Sequence, residues 1–169
     1  MAIDLFSFVG MYDRQLESLA HLLGKGAAFA KEQGLEPDAI LDWQLIDDMH
    51  PVRFQAEVVI SFSRQWTARV VGLPVPDRLE DSVTLADLTA AIATARADLA
   101  ALTPEQFAGR DDVPLTIQIT DTMEPTLPAG QWLSVFATTN IYFHLSMAYA
   151  ILRAKGVPIG KIDLFAGRL

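Results

Sequence analysis

The chain has 169 residues, 51% of them hydrophobic, which fits a folded domain with a hydrophobic core rather than a disordered chain. Its net charge of −8 argues against a nucleic-acid partner, because binding to phosphates requires a basic surface. The chain contains no cysteine, which excludes disulfides, thiolate metal ligands and a cysteine nucleophile. We therefore expect a single domain over residues 1–169.

The N-terminal sequence, MAIDLFSF, lacks the features of a secretion signal. Asp4 appears early, and no basic residues precede an apolar run. The sequence pI of about 4.7 is typical of a soluble acidic protein. These features predict a protein of the cytoplasm.

The first predicted helix covers residues 5–33. Its apolar residues recur every three or four positions, which is the spacing of one face of a helix. His21 lies on the polar face with Glu17 and Lys25, so we interpret it as a solvated side chain. Gly34 is predicted to end the helix, because glycine is common just after the last helical turn.

The second predicted helix covers residues 51–71 and carries Gln55 within its apolar stripe. Because an unpaired buried amide costs about 1–3 kcal/mol, Gln55 requires a hydrogen-bond partner on a neighbouring helix. His50 stands at the start of this helix. If the helix includes it, His50 points toward solvent with Arg53 and Glu57.

The third predicted helix begins after Thr84, which resembles a capping box with Asp87, and ends near Leu102. Over residues 113–130 the pattern changes, because apolar and polar residues alternate there. This period of two predicts a small hairpin of two strands. Pro125 confines the returning strand to a sheet edge.

The last predicted helix, residues 131–155, stands out because positions 132–152 contain no charged residue. A helix that is apolar nearly all round is either a membrane span or the buried centre of a helical domain. Asn140 and His144 in its middle would be costly in lipid, so we predict a buried helix and no membrane partner. These two residues point into the protein, and Gln55 is their expected neighbour.

Together these elements predict an all-α fold. Gly156, followed shortly by Pro158, is predicted to end the last helix. Four long amphipathic helices with short connections form an antiparallel bundle by the usual packing rules. The expected architecture is therefore an antiparallel four-helix bundle with a small β-hairpin before the last helix.

Three pieces of the sequence, DDMHP, TNIYFHLSMAYAILR and KGVPIGKIDLF, follow one another along the chain. They resemble an uncharacterised bacterial and fungal family of the DinB/YfiT-like superfamily of four-helix bundles, over essentially the whole chain. The resemblance implies a candidate metalloenzyme, since the superfamily's metal site takes one histidine from the second helix and a His-x-x-x-His pair from the last. Some members are thiol-dependent transferases and many are homodimers, so a homodimer is the expected assembly.

The histidines that this resemblance assigns to a metal are only partly present. His144 matches the second histidine of the pair, Asn140 stands at the position of the first, and His50 is available near the second helix. The resemblance implies a degenerate pocket at the bundle centre, with His144 and His50 as metal ligands and Gln55 and Asn140 in its lining. The implied cofactor is a divalent metal such as zinc or nickel, although these metals prefer three nitrogen or sulfur ligands.

Two functions follow from this pocket. In an enzyme, His144 is a metal ligand or a general base, and Asn140 and Gln55 orient a substrate or a bound water. In a non-catalytic binding or assembly module, the same three residues hydrogen-bond to one another and fix the packing of the helices. Such a module would hold a small molecule, and would dimerise through its alanine-rich third helix or its first helix. An enzyme requires His144 in a pocket open to solvent, whereas a structural network requires it enclosed.

Overall fold

The computed structural model describes residues 4–166, so the ends of the predicted domain, residues 1–3 and 167–169, lie outside it. The described chain is mostly helical and contains a small antiparallel sheet, as predicted. The helices are α1 (Ser7–Glu32), α2 (Val52–Val71), α3 (Leu85–Ala100), α4 (Pro104–Phe107), α5 (Ala129–Gln131) and α6 (Thr138–Ala154). A π-helical segment, Trp132–Ala137, joins α5 to α6, and 3₁₀ turns lie at Pro37–Asp42 and Lys161–Phe165.

The four long helices, α1, α2, α3 and α6, pack against one another. Helix α1 contacts the other three, and α2 also contacts both α3 and α6. The apolar stripes that predicted these helices supply the core, because burial of that surface is the main gain on folding. Fully buried side chains of this core include Leu16, Leu19, Ile60, Leu88, Leu99 and Ile141.

The helix ends follow the signals in the sequence. Gly34 and Gly156 have φ angles of +73° and +95°, a backbone region that favours glycine, and each follows the end of a long helix. Thr84 and Asp87 form the predicted capping box at the start of α3, with each side chain bonded to the other residue's backbone N–H. The long helices therefore begin and end close to the predicted positions.

The predicted hairpin is present but its strands are short. Strand β1 (Pro114–Thr116) pairs antiparallel with β2 (Thr126–Pro128), and Leu115 lies opposite Leu127. The Trp132 indole N–H donates to the Leu115 carbonyl over 2.9 Å. This bond satisfies a fully buried indole and attaches the hairpin to the last helix.

The prediction of a buried last helix holds on one side, while the side that carries Thr139, Ser146 and Arg153 is exposed and also carries apolar residues. Val135 is 63% exposed and Phe143 is 55% exposed, with Tyr142 also at the surface. Segments α5, the π-helical turn and α6 form one helix, Ala129–Ala154, which by length and composition alone is long and apolar enough to cross a membrane. An exposed apolar face on this helix therefore needs an explanation of its own.

The π-helical segment is held by hydroxyl groups from two helices. The Thr138 hydroxyl donates to the Leu133 carbonyl over 2.8 Å, and the Tyr12 hydroxyl lies 3.0 Å from the same oxygen. Burial raises the pKa of Tyr12, so its phenol remains a donor across the ordinary pH range. Helix α1 thereby fixes the wide turn that precedes α6.

The C-terminal 3₁₀ turn packs on α1 through polar side chains. His21 Nε2 lies 2.7 Å from Asp163 Oδ1, and the Ser18 hydroxyl donates to the Leu164 carbonyl over 2.8 Å. The interpretation of His21 as a freely solvated side chain was therefore wrong. Its partner lies far away in the sequence, where the helical period of α1 gives no information.

Candidate functional site

His50 lies just outside α2, which begins at Val52 with Pro51 as its N-cap residue. Its imidazole stacks on the ring of Phe54, with ring centroids 3.9 Å apart and planes inclined by 19°. His50 is exposed although the helix does not include it, so the condition attached to its predicted orientation is not met. Glu57 does not share its surroundings, because Glu57 is buried.

Gln55 connects His50 and His144, and this contact confirms the expected pairing of the buried amide with a residue of the last helix. The Gln55 Nε2 group donates to the His50 carbonyl over 2.9 Å, while its Oε1 lies 2.7 Å from His144 Nδ1. Because Oε1 can only accept, His144 carries its proton on Nδ1. The lone pair on Nε2 has no hydrogen-bond partner among residues 4–166.

Burial is the main influence on the charge of His144. It lowers the pKa of the half-buried imidazole to about 4. The carboxylate of Glu57 acts in the opposite direction, whereas His50 and Arg78 lower the pKa further. The ring is therefore neutral at pH 7, and the groups that influence it belong to the same small region.

Asn140 does not join the contact between Gln55 and His144 in the described hydrogen bonds. Its Nδ2 group donates to the Phe136 carbonyl one turn earlier in its own helix, over 2.8 Å. The side chain is half-buried. Of the three residues expected to share a network, the structure brings Gln55 and His144 together.

Glu57, Phe54 and Arg78 are site residues that the sequence analysis missed. The Glu57 carboxylate accepts from the Ser61 hydroxyl over 2.6 Å and forms an ion pair with Arg78 from the loop after α2. Assigning Glu57 to solvent was wrong, because a helical wheel cannot show a loop residue that covers one face. The available signal was a lone charge in the apolar run QAEVVIS, residues 55–61.

A cavity of about 430 Å³ opens beside these residues, a size typical of small-molecule sites. It is lined by His50, Pro51, Arg53, Phe54, Glu57, Glu80, Asp81 and Val83. The Arg53 guanidinium is already used, since it binds Asp42 over 2.8 Å and also the Val83 carbonyl. The site thus combines an aromatic wall, an imidazole and several carboxylates.

These residues do not fit the three-ligand metal site that the resemblance implies. Within residues 4–166 no group of three or more histidines and carboxylates is placed to hold a metal ion. The ring of Phe54 contacts both imidazoles, and Glu57 is occupied by Arg78 and Ser61. We therefore derive no reaction step through a metal, and His144 and His50 as metal ligands stay predictions.

A family model described as "Domain of unknown function (DUF1993)" matches residues 6–165, nearly the whole chain. The chain belongs to this family. Among solved structures, the crystal structure of a DinB family member protein from Shewanella denitrificans is similar to this DUF1993 chain, with a TM-score of 0.86 and 27% sequence identity. The likeness covers 95% of this chain and 90% of that one, and confirms the resemblance to DinB-like proteins. No curated protein matches the chain.

Proposed function

We propose that this DUF1993 protein binds a small molecule in the cavity at the start of α2. We also propose that its four long helices form the antiparallel bundle expected of a DinB-like protein, which their mutual contacts support. The observation that carries the functional proposal is the lining of this cavity, where the His50 imidazole, the Phe54 ring and the Glu57 carboxylate come together. His144 is not among the lining residues; it is bonded to Gln55 and contacts the lining through the ring of Phe54.

The pKa of His144 favours binding over acid–base catalysis. An efficient general base has a pKa near the working pH, and the pKa of this imidazole is about 4. His144 in this proposal is a positioning residue that holds Gln55 and Phe54 in place beside the cavity, and it does not remove a proton from a ligand.

The test is a fragment screen by NMR on tag-free protein, with matched histidine variants. We expect at least one compound to shift resonances of His50 and Phe54, and to lose affinity in His50→Gln and, through Gln55 and Phe54, in His144→Gln, but not in His21→Gln. His21 is the matched control because it pairs with Asp163 on the C-terminal turn and does not line the cavity. A screen in which no compound shifts these resonances contradicts the proposal.

A zinc and nickel titration of the same variants tests the metal alternative. Uptake of one ion per chain that is lost in both His144→Gln and His50→Gln would restore the metal site as the function. Absence of uptake leaves the organic ligand as the occupant of the cavity.

The second candidate function is a structural module. It is favoured because both the nitrogen and the oxygen of the Gln55 amide are hydrogen-bonded within the protein. One amide group joins the His50 carbonyl before α2 to the imidazole on α6. If His144→Gln and Gln55→Leu only lower stability, and no compound binds, this network is the role of the site.

We propose in addition that the protein is a cytoplasmic homodimer that pairs through the exposed face of the last helix. Val135, Tyr142 and Phe143 are exposed there, and the face carries no charge. Exposed apolar patches of this kind mark protein contacts, and they favour this helix over α1 or α3 as the interface. The net charge of −8 supports a soluble cytoplasmic protein, since it keeps the remaining surface hydrated.

A further inference from the structure

Arg78 enters the candidate site from the loop between α2 and α3. Its Nε donates to Glu57 Oε1 over 3.0 Å, and a second guanidinium nitrogen donates to Glu57 Oε2. Its central carbon also lies 5.9 Å from the centroid of the Phe54 ring. One guanidinium therefore meets a carboxylate and an aromatic ring together.

The two partners of this ion pair differ in how firmly they are held. The Glu57 side chain is 8% exposed and belongs to a long helix, whereas the Arg78 side chain is 52% exposed and belongs to a loop. A buried carboxylate requires a cation and hydrogen bonds, and the Ser61 hydroxyl supplies only one neutral bond. Glu57 is thus the permanent part of the pair, and its cation is the replaceable part.

The geometry at Glu57 suits a guanidinium in particular. Two parallel N–H groups match the two oxygens of a carboxylate, which a compact ammonium cannot do. The nearby ring of Phe54 adds attraction for a cation within about 6 Å. Glu57 and Phe54 therefore form a guanidinium-binding site, which the side chain of Arg78 occupies.

Apart from Arg53, the remaining charged residues of the cavity lining are negative. Glu80 and Asp81 line it, and neither side chain has a hydrogen bond or ion pair to another residue in the part of the chain that the structure describes. The Arg53 guanidinium is bound to Asp42 and to the Val83 carbonyl. A second cation entering this cavity would meet unmatched carboxylates.

We propose that the cavity takes a small organic cation with a guanidinium group, and that Arg78 is an internal stand-in for it. The ligand binds Glu57 and Phe54, while Arg78 moves further into solvent and Glu80 and Asp81 face the ligand's outer part. This inference rests on the proposed function and deepens it by naming the ligand class. The position of Arg78 in the loop after α2 then differs between the free protein and the protein with bound ligand.

The experiment is a competition between Arg78 and free guanidinium compounds. Ethylguanidinium is titrated into the wild type, Arg78→Ala and Arg78→Met, with binding followed by NMR shifts of Phe54 and His50. Ethylurea is the neutral probe of the same shape. Arg64→Ala is the matched control variant. Arg64 also forms an ion pair, with an N–O distance of 2.7 Å to Asp98, and neither residue lines the cavity.

We expect ethylguanidinium to bind both Arg78 variants about tenfold or more tightly than the wild type, a difference of about 1.4 kcal/mol or more. Arg64→Ala should behave as the wild type, ethylurea should not bind, and Glu57→Gln combined with Arg78→Ala should abolish binding. Equal affinity for the wild type and the Arg78 variants, or equal binding of ethylurea, overturns the proposal.

Two further outcomes keep the inference separate from the proposed function. If Arg78→Ala and Arg78→Met fold only when ethylguanidinium is added, and not when ethylurea is added, the result supports the guanidinium-binding site. If both compounds restore folding equally, the proposal is overturned. If neutral or anionic compounds from the screen bind the cavity while ethylguanidinium binds no variant, the ligand class is wrong and the binding function stands. If nothing binds at all, both fail.

Discussion

The two ring nitrogens of His144 have different surroundings, and this difference determines how the residue responds to acid. Nδ1 donates to Gln55, while burial lowers the pKa of the ring to about 4. In the unfolded chain the pKa of a histidine is about 6.5. As the pH falls from about 6.5 toward 4, the unfolded chain binds a proton that the folded protein does not, so folding stability decreases.

We expect this difference to appear as a pH dependence that requires His144. Between about pH 7 and about pH 4.5, the free energy of unfolding should fall by about 1–2 kcal/mol more in the wild type than in His144→Gln, a figure already reduced for partial exposure. Urea denaturation at both pH values measures it. An NMR titration that gives His144 a pKa near the unperturbed value would contradict the prediction.

The Tyr12 hydroxyl allows a test of how much its hydrogen bond to the π-helical segment stabilises the protein. Tyr12→Phe removes the hydroxyl that lies 3.0 Å from the Leu133 carbonyl, and we expect the free energy of unfolding to fall by about 1 kcal/mol. Tyr149→Phe is the control, because the half-buried Tyr149 has no side-chain hydrogen bond in residues 4–166. It should change stability by less than about 0.5 kcal/mol. Equal effects in the two variants would show that the bond to the turn contributes little.

The sequence predicted part of the site because one physical requirement is local. Gln55 lies in an apolar stripe, and a buried amide must be paired, so a partner such as His144 on the last helix was expected. Glu57 and Arg78 escaped prediction because their pairing depends on the path of a loop. No periodic pattern describes that path, and a charged helical residue is assigned to solvent by default.

Within α1, two glycines on different sides of the same turn have opposite surroundings. A Cβ atom on Gly24 would meet nothing within 4 Å, whereas one on Gly26 would lie 2.9 Å from Leu152 Cδ2 and 3.1 Å from Ile40 Cδ1. The lack of a side chain at Gly26 therefore leaves room for Leu152 of α6 and Ile40 of the 3₁₀ turn at Pro37–Asp42 against the backbone of α1.

The two alanine substitutions should accordingly have opposite effects. Gly24→Ala should raise the free energy of unfolding by about 0.5–1 kcal/mol, because glycine is a poor helix residue. Gly26→Ala gains the same helix preference but overpacks a buried contact, so we expect a net loss of about 1 kcal/mol. Thermal and urea denaturation of both variants give the comparison. A Gly26→Ala protein as stable as Gly24→Ala would mean that Leu152 and Ile40 move aside freely.

The last helix is an element whose position and inward side can be predicted, whereas the exposure of its apolar side chains cannot. The boundaries of a helix can be found from its composition and its glycine stop. The polar residues Asn140 and His144 indicate the inward side, but with no charge over residues 132–152 the sequence does not show which apolar side chains stay exposed on the other side. The exposed position of Phe143 follows from packing against α1 and α2, which the helix's own sequence does not specify.

At the scale of the whole molecule, the proposed homodimer makes the exposed face of the last helix testable. Phe143→Asp places a charge at the centre of that face, and we expect it to convert a wild-type dimer into a monomer in sedimentation equilibrium. Leu35→Asp is the matched control, because Leu35 is also an exposed apolar residue but lies beyond the end of α1. A wild type that is monomeric at all concentrations, or a monomer in both variants, would contradict the interface.

The hairpin before the last helix has a further consequence for the solution behaviour of the protein. A sheet of two strands has two open edges, and such edges can recruit strands from other molecules and cause aggregation. Here Pro114 and Pro128 stand opposite each other at the ends of the paired region. The hydrogen bonds between the strands fall at neighbouring positions, as from the Ala129 N–H to the Val113 carbonyl, so the nitrogens of both prolines face outward and offer no N–H to an incoming strand. The hairpin is thus protected against growth into larger sheets by the same residues that keep it short.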